Sequence, residues 1–253
     1  MTMLQPLVSE TYNGLIWRLQ IDSFNDILAL EIRNEQDKQT SFSTINLQSG
    51  ELYLKDFTLP ERWLTGIEAA WKSVLMLHYY KHESSPEHQS VIAIDAKTGK
   101  ELWANYRIAF DHLSNNGPVV YYAGMQPKKL QLISASDGKL LRNFSAMEDK
   151  PLSTAIVIPD MLPAEAVPDV ELPLVPYGNM VHYLTYNNYR IVSLHAQKNG
   201  ILQQHLYVLD NNGILYHDLL NSNIQKLQPE AFVVHKNVLI YVKERAGIVA
   251  LKL

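Results

Sequence analysis

The chain contains no cysteine. That absence removes disulfides, thiolate metal sites, iron–sulfur clusters and cysteine nucleophiles from consideration. It leaves the redox compartment open, because a chain without thiols suits either environment. Long apolar runs are missing as well: nowhere do the ~18 consecutive apolar residues of a membrane-spanning helix occur. The N-terminal "MTMLQPLVSETYNG" has neither the cationic start nor the apolar stretch of an export signal. Charge is sparse, at 19% of residues with a net −4. Lys and Arg are spread along the chain rather than gathered into a stripe that would neutralise phosphates. The expectation is a cytoplasmic protein that engages neither nucleic acid nor membrane. Catalytic signatures are lacking too, with no Gly-x-Ser-x-Gly, no Gly-x-Gly-x-x-Gly and no phosphate loop. "GKELW" carries only the last letters of a phosphate loop and falls in a hairpin.

What the chain does have is a recurring hairpin. An apolar share of 47% over 253 residues allows a large core, and length alone does not choose between one domain and two. Four stretches repeat the unit strand, turn, strand: "STINLQSGELYLKDF" from Ser43, "VIAIDAKTGKELWANY" from Val91, "LQLISASDGKLLRNF" from Leu130 and "HLYVLDNNGILYHDL" from His205. Apolar and polar side chains alternate in each, with Ile92 and Ile94 sharing one side, as a half-buried strand requires. Ser-Gly, Thr-Gly, Asp-Gly and Asn-Gly supply the turns, a small polar residue followed by a glycine free to take positive φ.

The turn glycines Gly50, Gly99, Gly138 and Gly213 stand 49, 39 and 75 residues apart. Periods of about 40 residues with four strands each point to β-propeller blades. Further strands precede the hairpins at "VLMLHYY", "PVVYYAG" and "RIVSLHA", and "AFVVHKN" and "VLIYVKE" supply two more. The chain ends in "GIVALKL", a strand with no turn after it, while "YNGLIWRL" at residues 12–19 reads as turn and outer strand. Each end holds the half the other lacks, so the N-terminal segment is expected to pair with the last strand and close the last blade. The expected fold is all-β: a single β-propeller domain over residues 1–253, of five four-stranded blades. Six is the alternative, because the 75-residue gap leaves room for a degenerate blade with strands at "STAIVIP" and "MVHYLTY".

Ala93, Asp95, Thr98, Gly99 and Trp103 in "AIDAKTGKELW" resemble the repeat of quinoprotein-like (pyrroloquinoline-quinone-type) propellers. A fainter echo lies at Asn13, Gly14 and Trp17. The resemblance implies blades in which the tryptophan packs between neighbours. The other units keep the glycine and have Tyr53, Leu141 and Tyr216 nearby instead. The activity of the quinone enzymes does not follow, because those are larger, generally eight-bladed, and many stack the cofactor on adjacent cysteines. No bound cofactor is expected.

Two groups of histidines invite a chemical reading. "HYYKHESSPEH" carries His78, His82 and His88 with Glu83 and Glu87. His78 and His82 on one strand would stand ~13 Å apart, too far to share an ion, although a turn at "ESSPE" would bring His82, Glu83 and His88 together. The usual zinc spacings are absent, and a solvated polar loop is the plainer reading. His182, His195, His205 and His217 fall one per strand across a single expected sheet and would form a ladder if they shared a side. Asp22, Asp26, Asp111, Asp160, Asp169 and Glu230 lie near connections between blades, where propeller sites form. None of these is assigned as a catalytic, cofactor-binding or metal residue.

The segment "PDMLPAEAVPDVELPLVPYG", residues 159–178, is a proline-rich acidic insertion. Its five prolines exclude regular helix and central strand, and no basic residue occurs between Lys150 and Arg190. A connection this long suits a docking arm, and its apolar content argues that it packs against something. A non-enzymatic binding or scaffolding propeller with a protein partner on this segment is the expected function. The alternative is a small propeller hydrolase or lyase acting on a sugar-like or other small polar substrate.

Overall fold

In the computed structural model, which describes residues 3–167 and 172–253, the alternating stretches become twenty-two strands. The chain forms two compact units, Asn13–Thr154 and Met1–Tyr12 with Ala155–Leu253. It opens with β1 (Pro6–Thr11), which belongs to the second of these.

The first unit holds three four-stranded antiparallel sheets, each a meander in chain order. These are β2 to β5 (Leu15–Asp22, Ile27–Asn34, Gln39–Asn46, Leu52–Phe57), β6 to β9 (Thr65–Trp71, Val74–Tyr80, His88–Asp95, Glu101–Asn105) and β10 to β13 (Ile108–Ser114, Gly117–Tyr122, Gln131–Ile133, Leu140–Asn143). Gly50, Gly99 and Gly138 turn the last hairpin of each, at φ 75°, 72° and 69°. In the middle turn Asp95 Oδ1 accepts hydrogen bonds from the amides of Lys97 and Thr98 and from the Thr98 hydroxyl. The Asp-x-x-Thr-Gly spelling is therefore turn chemistry. Two of these glycines also admit a neighbour. A Cβ at Gly138 would lie 2.7 Å from the ring of Trp103, and one at Gly99 would lie 3.0 Å from Phe57. The Trp103 indole Nε1 donates to Ala135 O at 2.7 Å, so Trp103 of one sheet seats on the turn of the next. Between these sheets lie two apolar layers, one built on Ile27, Phe42, Ile67 and Leu75, the other on Met76, Val91, Ile108 and Val120.

The second unit holds two five-stranded antiparallel sheets. β14 (Ile156–Val157) is followed by β15 (Asp160–Pro163), a 3-10 turn at Ala164–Ala166, β16 (Met180–Tyr186), β17 (Tyr189–Lys198), β18 (Ile201–Asp210) and β19 (Gly213–Ile224). The last strands are β20 (Val233–His235), β21 (Val238–Lys243) and β22 (Gly247–Lys252). One sheet runs β15-β16-β17-β18-β19 and the other β1-β22-β21-β20-β14. Ile191, Leu206, Val208, Val234, Leu239 and Val249 are among the core that joins them.

The N-terminal strand closes the last sheet, with Ser9 opposite Val249 and Thr11 opposite Gly247. The closing residues are Pro6–Thr11, upstream of the expected "YNGLIWRL". That stretch turns at Gly14 and becomes β2, the first strand of the first sheet. Gly14 lies so close under Arg33 that a Cβ would come within 2.8 Å of its carbonyl. No sixth sheet occurs among the described residues. "STAIVIP" contributes β14 to the last sheet, and "MVHYLTY" is β16 of the fourth. Two strands of 10 residues each, β17 and β18, take up part of the long gap. The chain is thus all-β, built of the antiparallel meanders that make the blades of a multi-blade β-propeller.

The proline-rich segment is not a free arm. β15 pairs with β16, Met161 opposite His182 and Leu162 opposite Val181. Leu162, Ala164, Val167 and Leu172 pack on a core of Val181, Tyr183, Val192, Leu194 and Tyr207. The prolines hold: Pro163 ends an edge strand, where a missing N–H costs no ladder bond. Pro168, Asp169 and Glu171 lie outside the described residues.

Candidate functional site

Among the described residues, one group of three or more potential ligand side chains converges: Glu68, His78 and His88. They come from three consecutive strands of the second sheet, β6, β7 and β8. Local irregularity aims them. The β6–β7 register shifts between Ile67 and Ala69, which leaves Glu68 unpaired in a β-bulge, and the β7–β8 register shifts between Leu77 and Tyr79, around His78. On the third strand Ser90 takes φ 69°. Bulges re-aim side chains in this way. The same first-strand bulge recurs at Trp17 in β2 and at Asp111 in β10.

Glu68 Oε1 lies 2.9 Å from His88 Nδ1 and 3.2 Å from His78 Nδ1. The two imidazoles are stacked, with centroids 3.7 Å apart and planes 9° apart, and Tyr80 sits edge-on to both. His78 is fully buried and Glu68 nearly so, while the His88 side chain is 30% exposed. Neither ring nitrogen of His78 makes a hydrogen bond, although its Nδ1 stands 3.2 Å from Glu68 Oε1. Leaving such a buried group unsatisfied costs about 1–3 kcal/mol. Burial pushes the Glu68 carboxyl up, but the two histidines together outweigh it and hold the group below its ordinary value. For His78 burial dominates and lowers the imidazole, with Glu68 opposing. The set therefore combines a carboxylate with a neutral imidazole in His78.

A second carboxylate stands behind it. Glu31 on β3 accepts from Arg33 Nε at 2.7 Å and from the Ile67 amide at 2.9 Å. A Cβ at Gly66 would fall 3.0 Å from both Glu31 Oε2 and His78 Nε2, and 2.8 Å from His78 Cε1. The glycine is the space in which these two groups face each other. Arg33 continues the cluster outward, with its guanidinium over the rings of Trp17, Trp63 and Tyr80 at 5.3, 5.7 and 5.5 Å.

The expected turn set does not form. His82 contacts Ser84, Glu83 reaches Lys38 and Glu87 pairs with Lys81, all on the exposed loop. His88 joins His78 across the sheet instead, from the neighbouring strand whose register shifts between Leu77 and Tyr79. Glu68 escaped the sequence reading altogether. The signal available was a single carboxylate inside the apolar run "GIEAAW".

The four histidines of the fourth sheet do occupy one strand each, but they form two pairs on opposite sides rather than a ladder. Pairing places His182 with Ser193 and His195 with Gln204 on one side, and Tyr207 with His217, together with His205, on the other. His182 Nε2 lies 3.1 Å from Pro229 O, and His195 Nε2 accepts the Gln228 amide at 2.9 Å. Burial, then the nearby His182, lowers His195 to about 4. His205 and His217 touch each other at 3.1 Å. The carboxylates near connections do not converge. Asp22 caps turns through Phe24 and Ser73, Asp111 pairs with His112, Asp26 meets Gln48, Asp160 is exposed on β15, and Glu230 offers its backbone carbonyl to Gln204. Asp169 lies outside the described residues. Two open depressions, about 670 Å³ beside Tyr106 and Met125 and about 540 Å³ beside Phe144 and Leu152, are both lined by other residues than this cluster.

The fold and the convergent cluster define a β-propeller-type chain with a buried Glu–His cluster in its second sheet. A family described as a domain of unknown function (DUF4905) matches residues 21–103, a stretch that contains Glu31, Gly66, Glu68, His78 and His88. No curated protein matches. Among solved structures, the chain is similar to BamB from Moraxella catarrhalis at 7% identity and TM-score 0.36, covering 94% of this chain and 85% of that one. It is similar to Raptor from Chaetomium thermophilum at 9% identity and TM-score 0.41, covering 99% of this chain but 29% of that one. The β-propeller domain of the Trilobed protease from Pyrococcus furiosus is similar at 10% identity and TM-score 0.34, with 93% and 78% covered.

Proposed function

We propose that the chain is a non-enzymatic binding or scaffolding propeller that docks an extended segment of a protein partner on residues 157–161 and 174–177. The observation that carries this reading is an accumulation of exposed apolar side chains in those stretches: Val157, Ile158, Met161, Leu174, Val175 and Tyr177, with Val175 88% exposed. Leu162, Ala164, Val167 and Leu172 of the intervening segment pack against the fourth sheet. Concentrated apolar exposure of this kind marks interaction surfaces. β15 is an edge strand of its sheet, and an edge offers backbone donors and acceptors to an added strand. Asp160 and Glu165 are exposed beside it, so the partner segment should combine apolar with basic side chains. The seating of Trp103 on Gly138 supports the quinoprotein-like repeat as a structural device in this scaffold.

The test compares intact protein with an Ile158→Ser/Met161→Ser/Val175→Ser variant of equal thermal stability in co-purification from the source lysate. The reading expects a protein held by the intact form, lost from the variant, and carrying a basic–apolar segment that binds alone. Equal capture by both forms, or capture by neither, overturns it. The rival reading, a hydrolase or lyase for a small polar substrate, has the convergence of Glu68, His78 and His88 in its favour. Turnover of a small ester, lactone or glycoside, abolished by Glu68→Gln, would establish it instead.

A further inference from the structure

We propose that Glu68, His78 and His88 form a binding site for a divalent transition-metal ion of the zinc class, held by one carboxylate oxygen and two imidazole nitrogens. This site lies on other residues than the docking segment, so either reading can fail without the other. Two histidines and a glutamate are a donor set that binds such ions while leaving a position open for water or ligand. On a tetrahedral ion with bonds of 2.0–2.1 Å, ligand atoms stand about 3.3 Å apart. Glu68 Oε1 lies 2.9 and 3.2 Å from the two Nδ1 atoms, and all three donors fall within 4.8 Å of one another. An ion would require the two rings to tilt out of their parallel stack until both Nδ1 lone pairs point at it, starting from donors that three neighbouring strands already hold together.

His78 supplies the independent observation. It is fully buried, aimed at Glu68, and has no hydrogen bond at either nitrogen. A structural histidine sealed in a core is ordinarily hydrogen-bonded; an ion at Nδ1 would give it, and Glu68 beside it, a bonded partner. Across Gly66 from its other nitrogen stands Glu31, a second acidic side chain that makes no hydrogen bond to it. Glu31 is in turn fixed by Arg33 and the Ile67 amide. His88, partly exposed, gives the ion its way in from solvent.

The experiment titrates chelator-treated full-length protein with Zn²⁺ by calorimetry and with Co²⁺ by visible absorption. The proposal expects one tight equivalent per chain, Co²⁺ bands of a low-coordinate nitrogen–oxygen site, and at least ~10-fold weaker binding in His88→Ala. His88 is the most exposed ligand, so this variant should keep the parent's thermal transition without metal; Glu68→Gln is the second variant. His82→Ala and His205→Ala should bind as the parent does. The proposal is overturned if the parent shows no saturable Zn²⁺ binding, if His88→Ala binds equally well, or if binding is lost in His82→Ala or His205→Ala instead.

Discussion

Gly66→Ala is the substitution that probes the buried cluster most sharply. Gly66 sits on β6 opposite His78, outside the left-handed region, so alanine meets no backbone strain there. In the unfolded chain alanine has fewer conformations to lose, worth about 0.4–1 kcal/mol in favour of the variant. Against this, the added Cβ would stand 2.8 Å from His78 Cε1 and 3.0 Å from Nε2 and from Glu31 Oε2. His78 cannot swing away, because it is fully buried and stacked on His88, and overpacking of this kind costs about 1–3 kcal/mol. The net expectation is a loss of about 1–2 kcal/mol, or a fall in Tm of roughly 4 °C at this chain length. Urea and thermal unfolding of the parent, Gly66→Ala, His78→Ala and the double variant measure it. With the ring removed most of the cost should vanish, giving a coupling of about 1 kcal/mol between the two positions. A Gly66→Ala protein as stable as the parent, or one equally destabilised in both backgrounds, would refute the close approach.

Other consequences can be checked in the same way. Trp103→Ala should cost about 2–3 kcal/mol, because it strips the half-buried indole from Gly138 and leaves Ala135 O without its donor; Trp103→Phe, which loses only the hydrogen bond, should cost about 1 kcal/mol, as read by urea midpoints. His195 sits at about 4 in the folded chain, below the ~6.5 of an unfolded histidine, so the unfolded state takes up more protons between the two values. Stability is therefore lost as pH falls from about 6.5 to about 4, and His195→Gln should show a smaller drop in Tm over that window than the parent. Deleting residues 1–11 opens the edge of β22, which Ser9 and Thr11 otherwise cover; light scattering should show self-association, and a monodisperse truncated chain with unchanged Tm would contradict that.

Much of the fold was legible because its signals are local. Glycines at Gly50, Gly99 and Gly138 that must take positive φ, flanked by alternating apolar residues, determine hairpins wherever they occur. Closure was legible as a necessity but not in its register. β1 is six residues beginning at Pro6 and gives little alternation, whereas "NGLIWRL" carries the stronger pattern and forms β2. The chemistry was only half readable. His78 and His88 were visible as residue types, but their meeting depends on bulges at Glu68 and beside Ser90 that have no compositional mark. A straight-strand rise bears on His78 and His82, which stay apart, and says nothing of His88 on the neighbouring strand, which the sheet stacks on His78. For His182, His195, His205 and His217 the strands were recognisable, but the side of the sheet depends on register, and one residue of shift reverses it. The proline-rich segment announced itself by composition. That half of it would be packed and half exposed is a tertiary property.

The lack of native cysteine makes the docking segment open to an unambiguous measurement: a single cysteine at Val175, labelled with a photo-crosslinker, in the source lysate, beside the same label at Met147, another highly exposed apolar position. The binding account predicts one dominant adduct at 175, absent at 147 and abolished when Ile158 and Met161 are replaced by serine. No adduct at 175, or the same adducts at both positions, would contradict it.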